Sequence, residues 1–507
     1  MAFGARSVGA LTLFLVIAPL GAVAWHAGGL SLSAADMAAI RFTIIQAALS
    51  ALIATLLAIP VARALARRRF PGRALFISLT GAPFLLPVVV AILGLLAIFG
   101  RAGLLSDLLV AAGFGRLSIY GLPGILLAHV FLNLPLAVRI ILGGWQSIPA
   151  ERFRLAQSLS FAPADLFRHL ERPMLQEIIP GLVATIFAVC LTSFAVILML
   201  GGGPRASTIE LAIFQAVRFD FNLGHAAGLG MAQAFIGGMA VLLALRIGRV
   251  ADFGSGLSLS DNIPAPNGWR RLSDGMALLL VAGFLFLPLA AILLRGLPGI
   301  IELPQSIWQA AVRSIMVALA ATLLGISAAL ALALGFARTG RHSLNLAATL
   351  PLAMSSLVLG TGLFLLLQNL APVFHLALPL TALINALMAL PFIYRILLPE
   401  AQALERDHGR LAASLNIKGM ARLRWLILPR LARPVGFSCG LAAALSMGDL
   451  GVITLFADSD NPTLPLVIER LSGAYRNTAA DGAALVLLVL TFGIFWAFDS
   501  WGRHAQA

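Results

Sequence analysis

Charge is what this sequence has least of. Asp, Glu, Lys and Arg make up 11% of its 507 residues, against roughly 25% in an ordinary soluble protein. So little charge cannot cover the surface of a soluble enzyme of this length. Lys418 is the only lysine, and Gly419 follows it. A phosphate-cradling Gly-x-x-x-x-Gly-Lys-Ser/Thr loop is therefore excluded. The two cysteines, Cys190 and Cys439, lie far apart in apolar runs, which excludes a disulfide framework and a zinc spacing. No metal-ligand cluster is seen among the eight histidines. No resident cofactor or metal is expected, and no catalytic residue. The net charge of +14 is scattered between apolar runs rather than gathered in a basic domain, which argues against nucleic acid as a partner.

What is present is apolar sequence, 60% of the chain. Such a chain is not disordered, because disorder requires low hydrophobicity. A membrane-crossing helix needs about 20 mostly apolar residues, and twelve runs qualify. They cover 8–26, 42–62, 75–99, 121–143, 175–200 and 225–246, then 274–295, 310–333, 344–368, 377–398, 431–456 and 481–499. Pro83, Pro87, Pro135, Pro351 and Pro391 interrupt several of these, which buried membrane helices tolerate. If all twelve cross and both termini are cytoplasmic, 26 of the 35 basic residues lie inside and 9 outside, as the positive-inside rule requires. The first run, with Arg6 and Ala22-Val23-Ala24, imitates a cleavable signal and is read as an uncleaved anchor. The expected class is an all-α polytopic membrane protein in contact with lipid.

The chain also matches itself. Leu134-Pro135, Arg139, Leu155-Ala156, Ser158-Leu159 and Pro173 recur 256 positions later as Leu390-Pro391, Arg395, Leu411-Ala412, Ser414-Leu415 and Pro429. Thr55-Leu56-Leu57 recurs at Thr322-Leu323-Leu324. An offset spanning six helices preserves orientation, so the expectation is two parallel six-helix repeats. The segment from Arg246 to Arg271, with Gly254, Ser255, Gly256, Pro264, Pro266 and Gly268, reads as a linker between them.

Each repeat carries a basic loop between its fourth and fifth runs. The first is Arg154-Leu155-Ala156-Gln157-Ser158-Leu159-Ser160, with Pro173 thirteen residues on. The second is Arg410-Leu411-Ala412-Ala413-Ser414-Leu415-Asn416, with Pro429 at the same distance. Leu155, Leu159, Leu166 and Leu170, then Leu411, Leu415, Leu423 and Leu426, recur at helical spacing. The pattern predicts a short amphipathic helix, a turn at 161–163 or 417–419, and a second helical piece stopped by the proline. An exposed helix of this kind docks into a groove on a soluble partner.

Both loops resemble the EAA loop of ABC-importer permeases. Ala156 and Ala412, Pro173 and Pro429, and Leu428 match its pattern. Arg154 and Arg410 replace its Glu, Ser160 and Asn416 replace its Gly, and Arg172 replaces its Leu before the first proline. With Leu200-Gly201-Gly202-Gly203-Pro204 and Gly448-Asp449-Leu450-Gly451, the whole chain is similar to the fused permeases of thiamine and thiamine-pyrophosphate importers. Fused permeases for ferric iron or another small solute share the architecture. An ion-coupled transporter of twelve helices is the alternative from another class. The resemblance implies the type I importer fold, with permease domains over 41–247 and 309–500. An N-terminal helix and linker would occupy 1–40, a linker and seventh helix 248–308, and a tail 501–507. It further implies two copies of an ATP-binding subunit, one per loop, and a periplasmic binding protein. The cargo would be thiamine, the location the bacterial inner membrane. ATP would be used by the partner and not by this chain. On this resemblance the docking residues are Leu155, Ala156, Ser158, Leu159, Ser160 and Pro173, then Leu411, Ala412, Ser414, Leu415, Asn416, Gly419 and Pro429.

Polar residues at membrane depth are functional candidates. Asp449, in the eleventh run, is the foremost, and its repeat partner is Ser193. Asp449 allows two roles, as a counter-charge on the path of a cation or as a packing and gating residue, and the second is preferred. Asn133 and Asn385 are further path candidates, while Thr192, Gln233 and Gln368 are read first as interhelical hydrogen-bonding groups. Arg139 and Arg395 are read as snorkelling. Glu210, Asp220, Asp458, Asp460 and Glu469 are assigned to outer loops, where they are either solvated or touch the binding protein.

Overall fold

A computed structural model describes residues 2–27, 32–73, 76–77, 85–203, 206–247, 268–368, 376–456 and 461–504. Among them every regular element is helical. Eleven helices are long and apolar enough to cross a membrane, or twelve if one bent pair is counted as a span. This fits the twelve apolar runs. Most of the linker (248–267), together with Pro83, Pro204, Asp458 and Asp460, lies outside the described residues.

The chain begins with α1 (Ala2–His26), α2 (Ala34–Arg67), α3 (Val88–Phe99), α4 (Leu104–Ala111) and α5 (Leu122–Ser147). Next come α6 (Ala150–Ser158), α7 (Pro163–Leu166), α8 (Arg172–Leu191), α9 (Ala195–Leu200), α10 (Ile209–Arg218) and α11 (Leu223–Ile247). The remainder runs α12 (Trp269–Gly299), α13 (Gln305–Thr339), α14 (His342–Thr349), α15 (Ser356–Leu367) and α16 (Ala377–Ser414). It ends with α17 (Gly419–Arg422), α18 (Leu428–Met447), α19 (Gly451–Phe456), α20 (Leu464–Gly473) and α21 (Asn477–His504).

Helices α2, α5 and α8 pack on one another, as do α13, α16 and α18. The flanking helices cross over: α1 lies on α13 and α15, while α12 lies on α2 and α3. Small residues permit these approaches. A Cβ at Gly94 would stand 2.8 Å from the Pro288 carbonyl oxygen, and one at Gly362 would stand 2.4 Å from that of Pro19. Glycine at these two contacts is a steric requirement, since membrane helices associate by close packing rather than by a hydrophobic drive.

Among the described residues, several apolar runs that read as single crossings are broken. The ninth turns by 100° between His342–Ala353 and Ser356–Leu367. Pro351 sits in the short 3-10 turn before the bend, and the Ser355 hydroxyl caps the new helix by accepting from the Leu357 and Val358 amides. The fifth breaks between α8 and α9, at Thr192–Phe194, and the eleventh between α18 and α19, at Gly448–Leu450. Hydropathy is blind to these breaks because the residues on both sides are equally apolar. Pro135 and Pro391, by contrast, lie within unbroken helices.

Candidate functional site

The two basic loops fold alike at their centres. In the first, α6 ends with Phe161 N donating to Ala156 O (2.9 Å) and Ser160 N to Gln157 O (3.0 Å). In the second, Ile417 N donates to Ala412 O (2.9 Å) and Asn416 N to Ala413 O (3.1 Å). This pair of bonds is the Schellman helix stop, whose C′ residue is left-handed. Ser160 and Asn416 hold that place, each at φ 53°. After each turn a short helix leads into a π-helical segment, Phe167–Glu171 or Leu423–Ile427, and then into α8 or α18.

Two expectations for these loops need correction. Pro173 and Pro429 do not stop a helix; each lies in the first turn of the next one, directly after the π turn. Proline has no N–H to donate, and the wider π turn, in which Arg172 N bonds to Phe167 O, carries the chain past that missing donor. Nor is the second amphipathic piece a separate helix, since α16 runs without interruption through Ser414. The first is separate because Pro149 holds Ile148 extended (ψ 120°). Glu405 stands 256 positions after Pro149 and imposes no such restriction.

The leucines predicted at helical spacing divide between two faces. Leu155 and Leu159 are 60% and 59% exposed, Leu411 and Leu415 57% and 61%. Ala156, Ala412 and Leu166 are buried, and Leu170, Leu423 and Leu426 are partly buried against the core. Ser158 and Ser414 turn their hydroxyls back onto their own helices, at Leu155 O and Leu411 O. Each loop thus presents a largely exposed two-leucine ridge, held by a second, packed face. Gly419, at φ 60°, starts α17 in a conformation that favours glycine.

The loops are anchored by different means. Glu171, 1% exposed, pairs with Arg63 (3.0 Å) and Arg67 (2.5 Å) at the end of α2. Its repeat counterpart is the fully buried Ile427, packed in a cluster with Leu334 and Leu330, the residues 267 positions after Arg67 and Arg63. In the second loop the ion pairs are elsewhere: Glu405 joins Arg338 (3.3 Å) and Arg422 (2.6 Å).

A second polar constellation lies at the breaks of the fifth and eleventh spans. The His129 ring bridges Ser50 Oγ (Nδ1, 3.0 Å) and Ser193 Oγ (Nε2, 2.8 Å). Asn133 donates to His129 O (2.9 Å) and approaches Cys190 Sγ (3.6 Å). The Gly451, Val452 and Ile453 amides at the start of α19 and the Asn385 side chain lie beside the Asp449 carboxylate. Asn385 Nδ2 also donates to Ser446 Oγ (3.0 Å). Nearby, Gln233 Nε2 donates to Leu191 O (3.0 Å) and to Glu210 Oε1 (3.1 Å).

Against known proteins, the chain is 39% identical over 481 residues to the "Thiamine transport system permease protein ThiP" of Salmonella typhimurium, covering 92% of this chain and 89% of that one. It is 38% identical over 474 residues to the protein of the same name from Brucella abortus, with 90% and 86% covered, and 38% identical over 481 residues to that of Escherichia coli. The chain belongs to the ThiP family of permeases. No family model matches it. As a ThiP-family protein it is a multi-pass inner-membrane permease subunit of an ABC transporter, and so not that transporter's ATPase.

In this ThiP-family chain the predicted path residues do not all come together. Asn385 lies beside Asp449, while Asn133 and Ser193 both bond to His129. Asn133 is not the counterpart of Asn385, whose counterpart 256 positions earlier is His129. His129 is legible by that subtraction alone. Ser50 and Ser446 gave no sequence signal beyond a small polar residue in an apolar run. Thr192 and Gln368 bond to carbonyls a turn back. Arg139 and Asp220 are exposed, Arg395 and Glu469 half-buried. Glu210 is not solvated: it is 1% exposed, and burial raises its pKa to about 7 against hydrogen bonds from Ser355 and Gln233.

Proposed function

We propose that the chain is the membrane-spanning permease of an ATP-driven thiamine importer. Identity of 38–39% over about nine-tenths of the chain to permeases named for thiamine transport carries the reading. Two copies of an ATP-binding subunit dock beneath it, one on the ridge of Leu155 and Leu159 and one on that of Leu411 and Leu415. Exposed leucines held on capped helices suit a groove-docking role. ATP binds to those subunits and not to this chain. A periplasmic binding protein delivers the cargo to the opposite face, and both termini are cytoplasmic, as the distribution of Arg supports.

The permease domains span 41–247 and 309–500. ATP-driven closure of the docked pair moves the loops, and α8 and α18 carry that motion to the breaks at Thr192–Phe194 and Gly448–Leu450. Asp449, Ser193, Asn133 and Asn385 belong to the path region there. The test is reconstitution of this chain with its ATP-binding subunit and binding protein in liposomes. Thiamine-stimulated ATP hydrolysis and ATP-dependent thiamine uptake are expected. Stimulation by ferric iron or another solute, with none by thiamine, overturns the cargo assignment.

A further inference from the structure

Two side-chain couples occupy one pair of repeat positions with different chemistry. His129 and Ser193 form the first, Asn385 and Asp449 the second, each 256 residues further on. In each couple the member on the helix break is partly open, at Ser193 and Asp449. The member behind it is buried: His129 is 2% exposed and Asn385 6%. The breaks also adjoin. A Cβ placed on Gly451 would meet Asp449 Oδ1 and Phe194 Cδ1, both at 3.7 Å, and Ser356 Oγ at 3.4 Å. Phe194 directly follows Ser193, and its ring packs edge-on against Phe214 at 5.3 Å. The seam at Gly451 is thus bordered by Asp449 and by Phe194, the residue after Ser193. One carboxylate oxygen, Oδ2, is buried and has no hydrogen-bond partner among the described residues.

We infer that Ser193 and Asp449 are the two poles of one mid-membrane contact site for an organic cation with a neutral hydrogen-bonding end, and that His129 and Asn385 position them. The inference rests on the importer reading above and specifies its substrate contacts. A fixed positive charge is drawn to Asp449, since an acid at membrane depth has its strongest partner in a cation. The neutral end falls to Ser193. His129 fixes the rotor of that hydroxyl: whichever nitrogen carries the proton, the bond at Nε2 decides whether Ser193 offers a lone pair or a hydrogen to the seam. Asn385 stands beside the Asp449 carboxylate, with its amide oriented by the bond to Ser446. Because the poles differ, the site orients an asymmetric solute. Thiamine has this form, with a thiazolium charge at one end and an aminopyrimidine at the other.

The experiment uses the whole complex in liposomes and compares uptake of thiamine with that of oxythiamine, in which an oxygen replaces the pyrimidine amine. The same binding protein serves every arm, so its own preference cancels. Asp449→Asn keeps a side chain suited to cap α19, since Asn and Asp cap equally well, and is expected to slow uptake of both solutes about tenfold, the scale of one lost charged hydrogen bond. His129→Ala and Ser193→Ala are expected to change the thiamine-to-oxythiamine ratio about fivefold or more. His129→Gln, which can still bond to Ser193, restores the ratio. A purely structural role for His129 would lower both rates together and leave the ratio fixed. Unchanged rates in Asp449→Asn, or an unchanged ratio in Ser193→Ala and His129→Ala, overturns the inference while wild-type thiamine uptake leaves the importer reading standing. Absence of thiamine uptake in the wild-type complex overturns both.

Discussion

Ser160 and Asn416 adopt the same left-handed backbone conformation, φ 53° in each, at the same place in two helix stops. Related permeases were expected to carry glycine there, and the geometry gives the reason: the C′ residue of a Schellman stop is left-handed. A side chain in that conformation costs roughly 1–2 kcal/mol, less for Asn. Ser160→Gly should therefore raise loop stability by about 1 kcal/mol and Asn416→Gly by less. Ser160→Val should lower it, since β-branched residues are outliers at positive φ. Amide hydrogen exchange at Phe161 and Ile417, the donors of the outer bond of each stop, reads the effect.

The exposed leucine ridges separate docking from folding. Leu155→Ser with Leu159→Ser, or Leu411→Ser with Leu415→Ser, removes side chains that touch little in the free chain. Melting of the isolated permease should shift by no more than about 0.5 kcal/mol per site. Buried beneath a partner, each leucine contributes roughly 1.5–3 kcal/mol, so either pair should weaken capture of the ATP-binding subunit by well over tenfold. Copurification and stimulated ATPase activity measure this. Normal capture by both double variants would remove the ridges from the interface.

The anchor at Glu171 is a buried ion pair, which makes its removal asymmetric. Glu171→Gln leaves Arg67 buried beside a neutral group, and breaking a pair of this kind costs about 3–5 kcal/mol. Replacing all three members by the residues at the matching positions, Arg63→Leu, Arg67→Leu and Glu171→Ile, should recover most of that loss. The second half of the chain already packs Leu330, Leu334 and Ile427 there. Thermal unfolding of the three forms in detergent decides it, and a triple variant no better than Glu171→Gln refutes the equivalence.

Much of the fold was legible because lipid simplifies the code. Length and hydropathy located the spans, since an apolar run of about 20 residues has few other uses. The breaks at Ser193 and Asp449 were not legible, because their flanks are as apolar as a continuous helix. Polar partners are legible only through the repeat, which relates Asp449 to Ser193 and Asn385 to His129. Ser160 and Asn416 read as departures from a motif until the turn geometry explained them. Glu210 was misplaced because a carboxylate between two spans looks like loop charge, and nothing in its neighbours announces that α10 folds inward.

Glu210 gives the pH prediction. Burial raises its pKa to about 7 from the ordinary 4.5 of a glutamate. The folded chain therefore holds a proton that the unfolded chain releases near pH 4.5. Between these two values the unfolded state binds fewer protons, so stability falls as pH rises, and it levels off above about 7. Glu210→Gln mimics the protonated acid and can still accept from Gln233. Its melting temperature should exceed that of wild type at pH 8, match it near pH 4.5, and lack the intervening slope attributable to this group. Thermal unfolding between pH 4.5 and 8 tests the sign directly. A wild-type slope that persists unchanged in Glu210→Gln assigns the titration to another group.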